Sequence, residues 1–119
     1  MPEPIACAPA ELSWGERAPD GVRRAPLEGT PSQEGPVTFA VNIPRGAWSH
    51  AHVHNQDVRV FVASVLYRLG YGREVVYERA AAYSPGTFLL VPAGRHHYDG
   101  ADEDTVVFVN TTGPIETHG

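Results

Sequence analysis

Five of the six histidines fall in two short stretches, His50, His52 and His54 in one and His96 and His97 in the other. Imidazole is the commonest protein ligand for zinc, iron, copper and nickel, and it exchanges protons near neutral pH, so this concentration points to metal ligation or acid–base chemistry. Successive side chains of a β-strand alternate faces, so residues 50, 52 and 54 of a strand share one face. The same parity runs back to Trp48 and on through Gln56 to Val58, Val60 and Val62, an apolar row of the kind that lines a barrel interior. The histidines are therefore expected in the mouth of a barrel, with Trp48, Gln56, Val58 and Val60 walling a substrate pocket. One histidine alone is ordinarily a surface residue or a hydrogen-bonded core group. Three at alternate positions can hold one ion, and the competing reading is a histidine-lined polar pocket without metal.

The second pair lies in Pro92-Ala93-Gly94-Arg95-His96-His97-Tyr98. Pro-Ala-Gly is turn chemistry after the apolar run Phe88 to Val91, so the two histidines open the following strand. Being adjacent, they face opposite sides, and only one of them joins an interior site. Tyr98 then faces away from that site and serves packing. Asp57 and Arg59 belong to the opposite parity of the first stretch and read as an outward face.

The elements that must position these groups are short strands. Eleven prolines and twelve glycines divide the 119 residues into pieces too short for long helices, and β-branched and aromatic residues recur in blocks. Strands are expected at Val37 to Ile43, Trp48 to His54, Val58 to Leu66, Thr87 to Val91 and Thr105 to Thr111, separated mostly by Gly and Pro as in a sandwich or barrel. Residues 1–36 are rich in Pro, Gly, Ala and charge, with one short strand at Val22 to Leu27; they read as an arm packed on a barrel of residues 37–119. Leu12 and Trp14 are its apolar anchors. Glu74 to Tyr83 is compatible with a strand end, a helical turn, or one after the other.

Composition bounds the function. A 12.9 kDa chain, 42% hydrophobic and 19% charged, makes one globular domain. A single cysteine, Cys7, forms no internal bridge, which argues against a disulfide-framework secreted domain. Nine basic residues, all arginine, against fourteen acidic ones give a net charge of −5 with no basic run, so a nucleic-acid partner is not expected. No stretch is long and apolar enough to span a membrane and the N-terminus lacks a signal-peptide layout, so the expected location is the cytoplasm. No nucleophile elbow, phosphate-cradling loop or dinucleotide fingerprint is present, which leaves hydrolase, kinase and dehydrogenase readings without support.

Two spacings in this sequence resemble the motifs of the cupin superfamily. Gly46 is followed after five residues by His52-Val53-His54, as in the first cupin motif, and Gly86, Pro92, Gly94 and His97 match the second. The resemblance extends over nearly the whole chain, from Leu12 and Trp14 to Gly113. It implies an all-β double-stranded β-helix, a jelly-roll barrel with a metal site in its mouth, and carries the ligand roles onto His52, His54 and His97. His50 then takes a secondary role as an extra ligand, an orienting group or a catalytic proton shuttle.

The departures from the pattern are informative. The motif glutamate falls at Val58, or at Arg59 with the longer gap; the following glycine falls at Val65 and the terminal asparagine at Ala101. Three neutral ligands leave a divalent ion its full charge, which attracts enolates, β-diketonates, catecholates or thiolates. Small cupins resembling this chain include three-histidine iron dioxygenases, among them the acetylacetone-cleaving type. The expectation is a metal-dependent cupin, with Fe(II) first and Zn, Ni, Mn or Cu as alternatives, that oxidatively cleaves a small enolisable or chelating molecule. The alternatives are an isomerase or cyclase of specialised metabolism, with or without metal, and a non-enzymatic small-molecule binding module. By the same resemblance the chain is expected to form a homodimer.

Overall fold

A computed structural model describes residues 3–119. The architecture is all-β: ten strands and two short 3-10 turns, with no helix long and apolar enough to cross a membrane among the described residues. The strands are β1 (Arg23–Glu28), β2 (Gly35–Ile43), β3 (Val53–His54), β4 (Val58–Ser64), β5 (Tyr67–Tyr71), β6 (Ala81–Tyr83), β7 (Phe88–Val91), β8 (His97–Gly100), β9 (Thr105–Gly113) and β10 (Thr117–His118). They form an antiparallel five-stranded sheet in the order β1-β2-β9-β4-β7, a three-stranded sheet β6-β5-β8 and a two-stranded ribbon β10-β3. Isolated bridges from Trp48 to Gly100 and from His52 to His97 join the ribbon's segment to β8, so the smaller units make one wall facing the large sheet. This is the jelly roll expected from the sequence.

The core between the walls follows from strict alternation. On β4, Val58, Val60 and Val62 are buried while Arg59, Phe61 and Ala63 are exposed. Val41 and Ile43 of β2, Leu89 and Val91 of β7, and Val107 and Val109 of β9 complete the apolar cluster with Tyr67 and Leu69 of β5. A β-branched row on each strand suits a pleated surface buried on one side, which is why this parity survives into the structure.

Residues 1–36 contribute β1 to the edge of the large sheet, one residue later than its expected start, and β2 already begins at Gly35. The chain ahead of β1 is tied to the barrel through Asn42, which is 2% exposed. Its Oδ1 accepts from Arg17 and Arg23 at 3.1 and 3.2 Å, and its Nδ2 donates to Asp104 and to the Thr105 carbonyl at 3.0 and 3.3 Å. Met1 and Pro2 of the expected arm lie outside the described residues. The ambiguous block 74–83 holds a 3-10 turn, Tyr77–Arg79, followed directly by β6. Strands β5 and β10 were not expected.

Candidate metal centre

The expected strand Trp48 to His54 is interrupted, and the interruption decides which side chains reach the interior. Ser49 N–H donates to the Asp99 carbonyl at 2.8 Å, while His52 and His97 exchange both backbone hydrogen bonds at 2.9 Å. Three steps along one segment, from Ser49 to His52, thus oppose two along β8, from Asp99 to His97. That surplus residue is a β-bulge, and Ser49 Oγ takes the Asp99 N–H at 3.0 Å where a regular ladder would continue. Even parity therefore breaks at the bulge. Trp48 pairs with Gly100 and shares its face, opposite to that of Asp99 and His97.

Trp48 nonetheless lines the cavity, together with its neighbours Ala47 and Ser49. Its indole meets Tyr77 edge-on at 4.9 Å between centroids, lies 6.4 Å from Tyr98 and is capped by the Arg68 guanidinium at 5.2 Å. Only glycine at position 100 leaves room, since a Cβ there would overlap the indole ring at Trp48 Cδ2. His50 sits within the bulge, exposed, at the rim of the cavity and outside the histidine cluster. Gln56 is displaced from the pocket, because residues 55–57 turn the corner between the two walls; its amide donates to the Pro114 carbonyl at 3.4 Å and it does not line the cavity. Val58 and Val60 do line it.

Three histidines come together. His52 and His97 are cross-strand partners and His54 follows two residues after His52, so the rings pack with centroids 4.3, 5.0 and 5.1 Å apart. One nitrogen from each lies within 4.8 Å of the others. Hydrogen bonds fix which nitrogen that is. His52 Nδ1 contacts the His50 carbonyl at 2.7 Å, and His97 Nδ1 contacts the Arg95 carbonyl at 3.0 Å. A carbonyl only accepts, so both Nδ1 atoms carry a proton and Nε2 is the nitrogen left to ligate. His54 Nδ1 meets Thr117 Oγ1 at 2.9 Å, which orients the third ring in the same manner.

The cluster is also electrostatically ready for a cation. Burial, followed by repulsion from His52 and His97, pulls His54 from the ordinary 6.5 down to about 4. Burial lowers His97 as well, against a hydrogen bond to the Arg95 carbonyl that raises it. At neutral pH these two rings are therefore neutral, the form that ligates metal. Three imidazoles on two rigid backbone segments fit a divalent transition metal, and no carboxylate belongs to the set.

The triad opens into a cavity of about 730 Å³ whose inner wall is the valine core, with Val58, Val60, Val91, Val107 and Val109 exposed to it. Several polar residues there escaped the sequence reading, among them Asp99, Tyr67 and Thr117. Asp99 shares His97's face two residues on and was legible by parity. Tyr67, on β5, donates its hydroxyl to Asp99 Oδ2 at 2.5 Å, and Thr117 lies in a polar tail without strand signal. Asp57 lies on the outside, as expected, and its carboxylate accepts the Ala93 N–H at 2.8 Å, holding the turn that presents His97.

The family profile described as "ChrR Cupin-like domain" matches residues 2–116. Among solved structures, KdgF from Halomonas sp. superposes with a TM-score of 0.69 at 21% identity, covering 89% of this chain and 90% of that one. An RmlC-like cupin from Shewanella frigidimarina gives 0.72 at 13% identity, with coverage of 93% and 91%. The polyketide cyclase RemF from Streptomyces resistomycificus gives 0.73 at 16% identity, with coverage of 96% and 80%. At these identities the likeness establishes the fold. No curated protein matches the sequence.

Proposed function

This chain belongs to the ChrR cupin-like domain family, and on that premise we propose that it is a metal-dependent enzyme acting on a small chelating, enolisable molecule, with oxidative cleavage at Fe(II) as its first candidate reaction. The observation that carries this reading is the all-imidazole donor set of His52, His54 and His97 at the mouth of an apolar cavity. A divalent ion bound there supplies a positive charge that polarises an enolate or catecholate and, if it is iron, redox capacity toward dioxygen. The valines of β4, β7 and β9 exclude water from the bound molecule, which strengthens every electrostatic contact within the cavity. His50, exposed at the rim, is the group we propose to pass a proton between that molecule and solvent.

A second reading, an isomerase or cyclase, is favoured by a different observation: a hydrogen-bonded Asp99–Tyr67 pair borders the cavity, and one of the similar folds is a polyketide cyclase. A binding module without turnover is the third. The protein is proposed to work in the cytoplasm and as a homodimer. Support for the dimer comes from the apolar outer face of β4 and β7, where Phe61, Phe88 and Leu90 are 47%, 52% and 45% exposed beside a free sheet edge.

The deciding experiment is elemental mass spectrometry of protein purified without chelator or affinity tag, beside a His52→Ala/His97→Ala double variant, followed by oxygen uptake on β-dicarbonyls, catechols and thiols. About one equivalent of metal, absent from the variant, together with oxygen consumption supports the oxygenase. Metal with turnover but no oxygen consumption moves the reading to isomerase or cyclase. No metal after anaerobic Fe(II) loading overturns the metal centre.

A further inference from the structure

Asp99 is the one carboxylate on the cavity side of β8. Alternation places it on the same face as His97, and two strand residues set their Cα atoms roughly 6.6 Å apart. Its geometry is over-determined. Tyr67 is 2% exposed and donates to Oδ2 at 2.5 Å, while the backbone N–H of Asp99 is held by Ser49 Oγ and its carbonyl by Ser49 N–H. Burial and the neighbouring carboxylate keep the Tyr67 phenol protonated, a permanent donor. The second oxygen, Oδ1, has no hydrogen-bond partner among the described residues, although Asp99 borders the cavity. Oδ1 is therefore an accessible acceptor, fixed in direction and open to a donor from a bound molecule.

We propose that Asp99, clamped by Tyr67, is a substrate anchor that selects molecules carrying a hydroxyl or protonated amine on the side opposite their metal-chelating oxygens. This inference rests on the metal-centre reading for the chelating half of the ligand. The anchor adds the other half: the histidine cluster takes the anionic end, and Asp99 takes a hydrogen-bond donor about one strand repeat away. Substrates with only apolar groups at that end leave the carboxylate desolvated and unpaired, and are rejected by about tenfold or more.

Two hydroxypyranone chelators make the test, kojic acid and allomaltol, which share the chelating oxygens and differ by a hydroxymethyl against a methyl group at the far end of the ring. Zinc content of wild type, Asp99→Asn and Tyr67→Phe protein is measured first, and calorimetry then gives both affinities on each zinc-loaded protein. The expected result is about a tenfold preference of wild type for kojic acid. Asparagine gives its oxygen to Tyr67 and turns its amide N–H groups to the cavity, where they meet the hydroxyl only through a neutral bond in place of the charge-assisted one, so the preference falls in Asp99→Asn; Tyr67→Phe, which only frees the carboxylate to rotate, also reduces it. Equal wild-type affinities overturn the anchor whether or not the variants fold. So does a preference that Asp99→Asn leaves unchanged, or failure of zinc-loaded wild type to bind either chelator. Protein that takes up no zinc overturns instead the metal reading beneath it, which is distinguishable because metal is measured before any chelator is added.

Discussion

The three imidazoles differ in what holds them, and that difference can be measured. His52 and His97 lean on backbone carbonyls, which no side-chain substitution removes, whereas His54 leans on the Thr117 hydroxyl. Thr117→Val is therefore expected to lower metal affinity about tenfold with the fold intact. His50→Ala is expected to leave affinity nearly unchanged, because residue 50 supports His52 through its carbonyl; competition titration with a chromogenic chelator separates the two. Titration of the metal-free protein gives a second test. His54 is held near 4 in the folded state against 6.5 when unfolded, chiefly by burial, so between those values the unfolded chain binds the extra proton. The His54 contribution to the stability of the metal-free protein must then fall as pH drops from about 7 to about 4 and level off below. The thermal midpoint followed across that window should show the decline in wild type and a shallower one in His54→Gln; equal slopes would refute this account of the cluster.

At the scale of elements, what the sequence disclosed and what it hid divide along regular and irregular backbone. The alternation of Val58, Val60 and Val62 is a local property of one unbroken strand, and it was legible. So was the turn at Pro92 to Gly94, whose proline and glycine chemistry is local, with Gly94 at φ +77°. The bulge at Ser49 to His52 depends on which residue of β8 lies opposite, a tertiary fact, and it left His50 at the cavity rim, outside the histidine cluster. The corner at 55–57 took Gln56 out of the cavity altogether. Thr117 was hidden because two residues of a polar tail become a strand only by pairing with β3. The seat of Trp48 makes the bulge testable. Gly100→Ala places a methyl inside the indole's contact distance and close to the Ala47 carbonyl, 2.6 Å away. The expected cost is about 3 kcal/mol, read as a lowered denaturant midpoint at unchanged slope, and a midpoint equal to wild type would contradict the packing described.

For the whole molecule, the two faces of the large sheet have opposite fates. Its inner face closes the cavity; its outer face near β7 presents Phe61 and Phe88 with ring centroids 5.1 Å apart, and Leu90 beside them. β7 ends the sheet, so its outer backbone groups have no strand partner among the described residues, and an edge of this kind flanked by apolar side chains is one that proteins cover. A second copy meets the geometric requirement without further design: an antiparallel strand pairs with itself across a two-fold axis, and Phe88 and Leu90 of each copy then fall beside those of the other. Covering them also shields the valine wall that β4 and β7 give to the cavity, which links assembly to the dryness of the site. Light scattering on wild type should report twice the chain mass, and Phe88→Glu, which sets two like charges against each other at the axis, should report a monomer with metal content unchanged. A monomeric wild type at working concentration would remove the dimer and leave the cavity's dryness to the single chain.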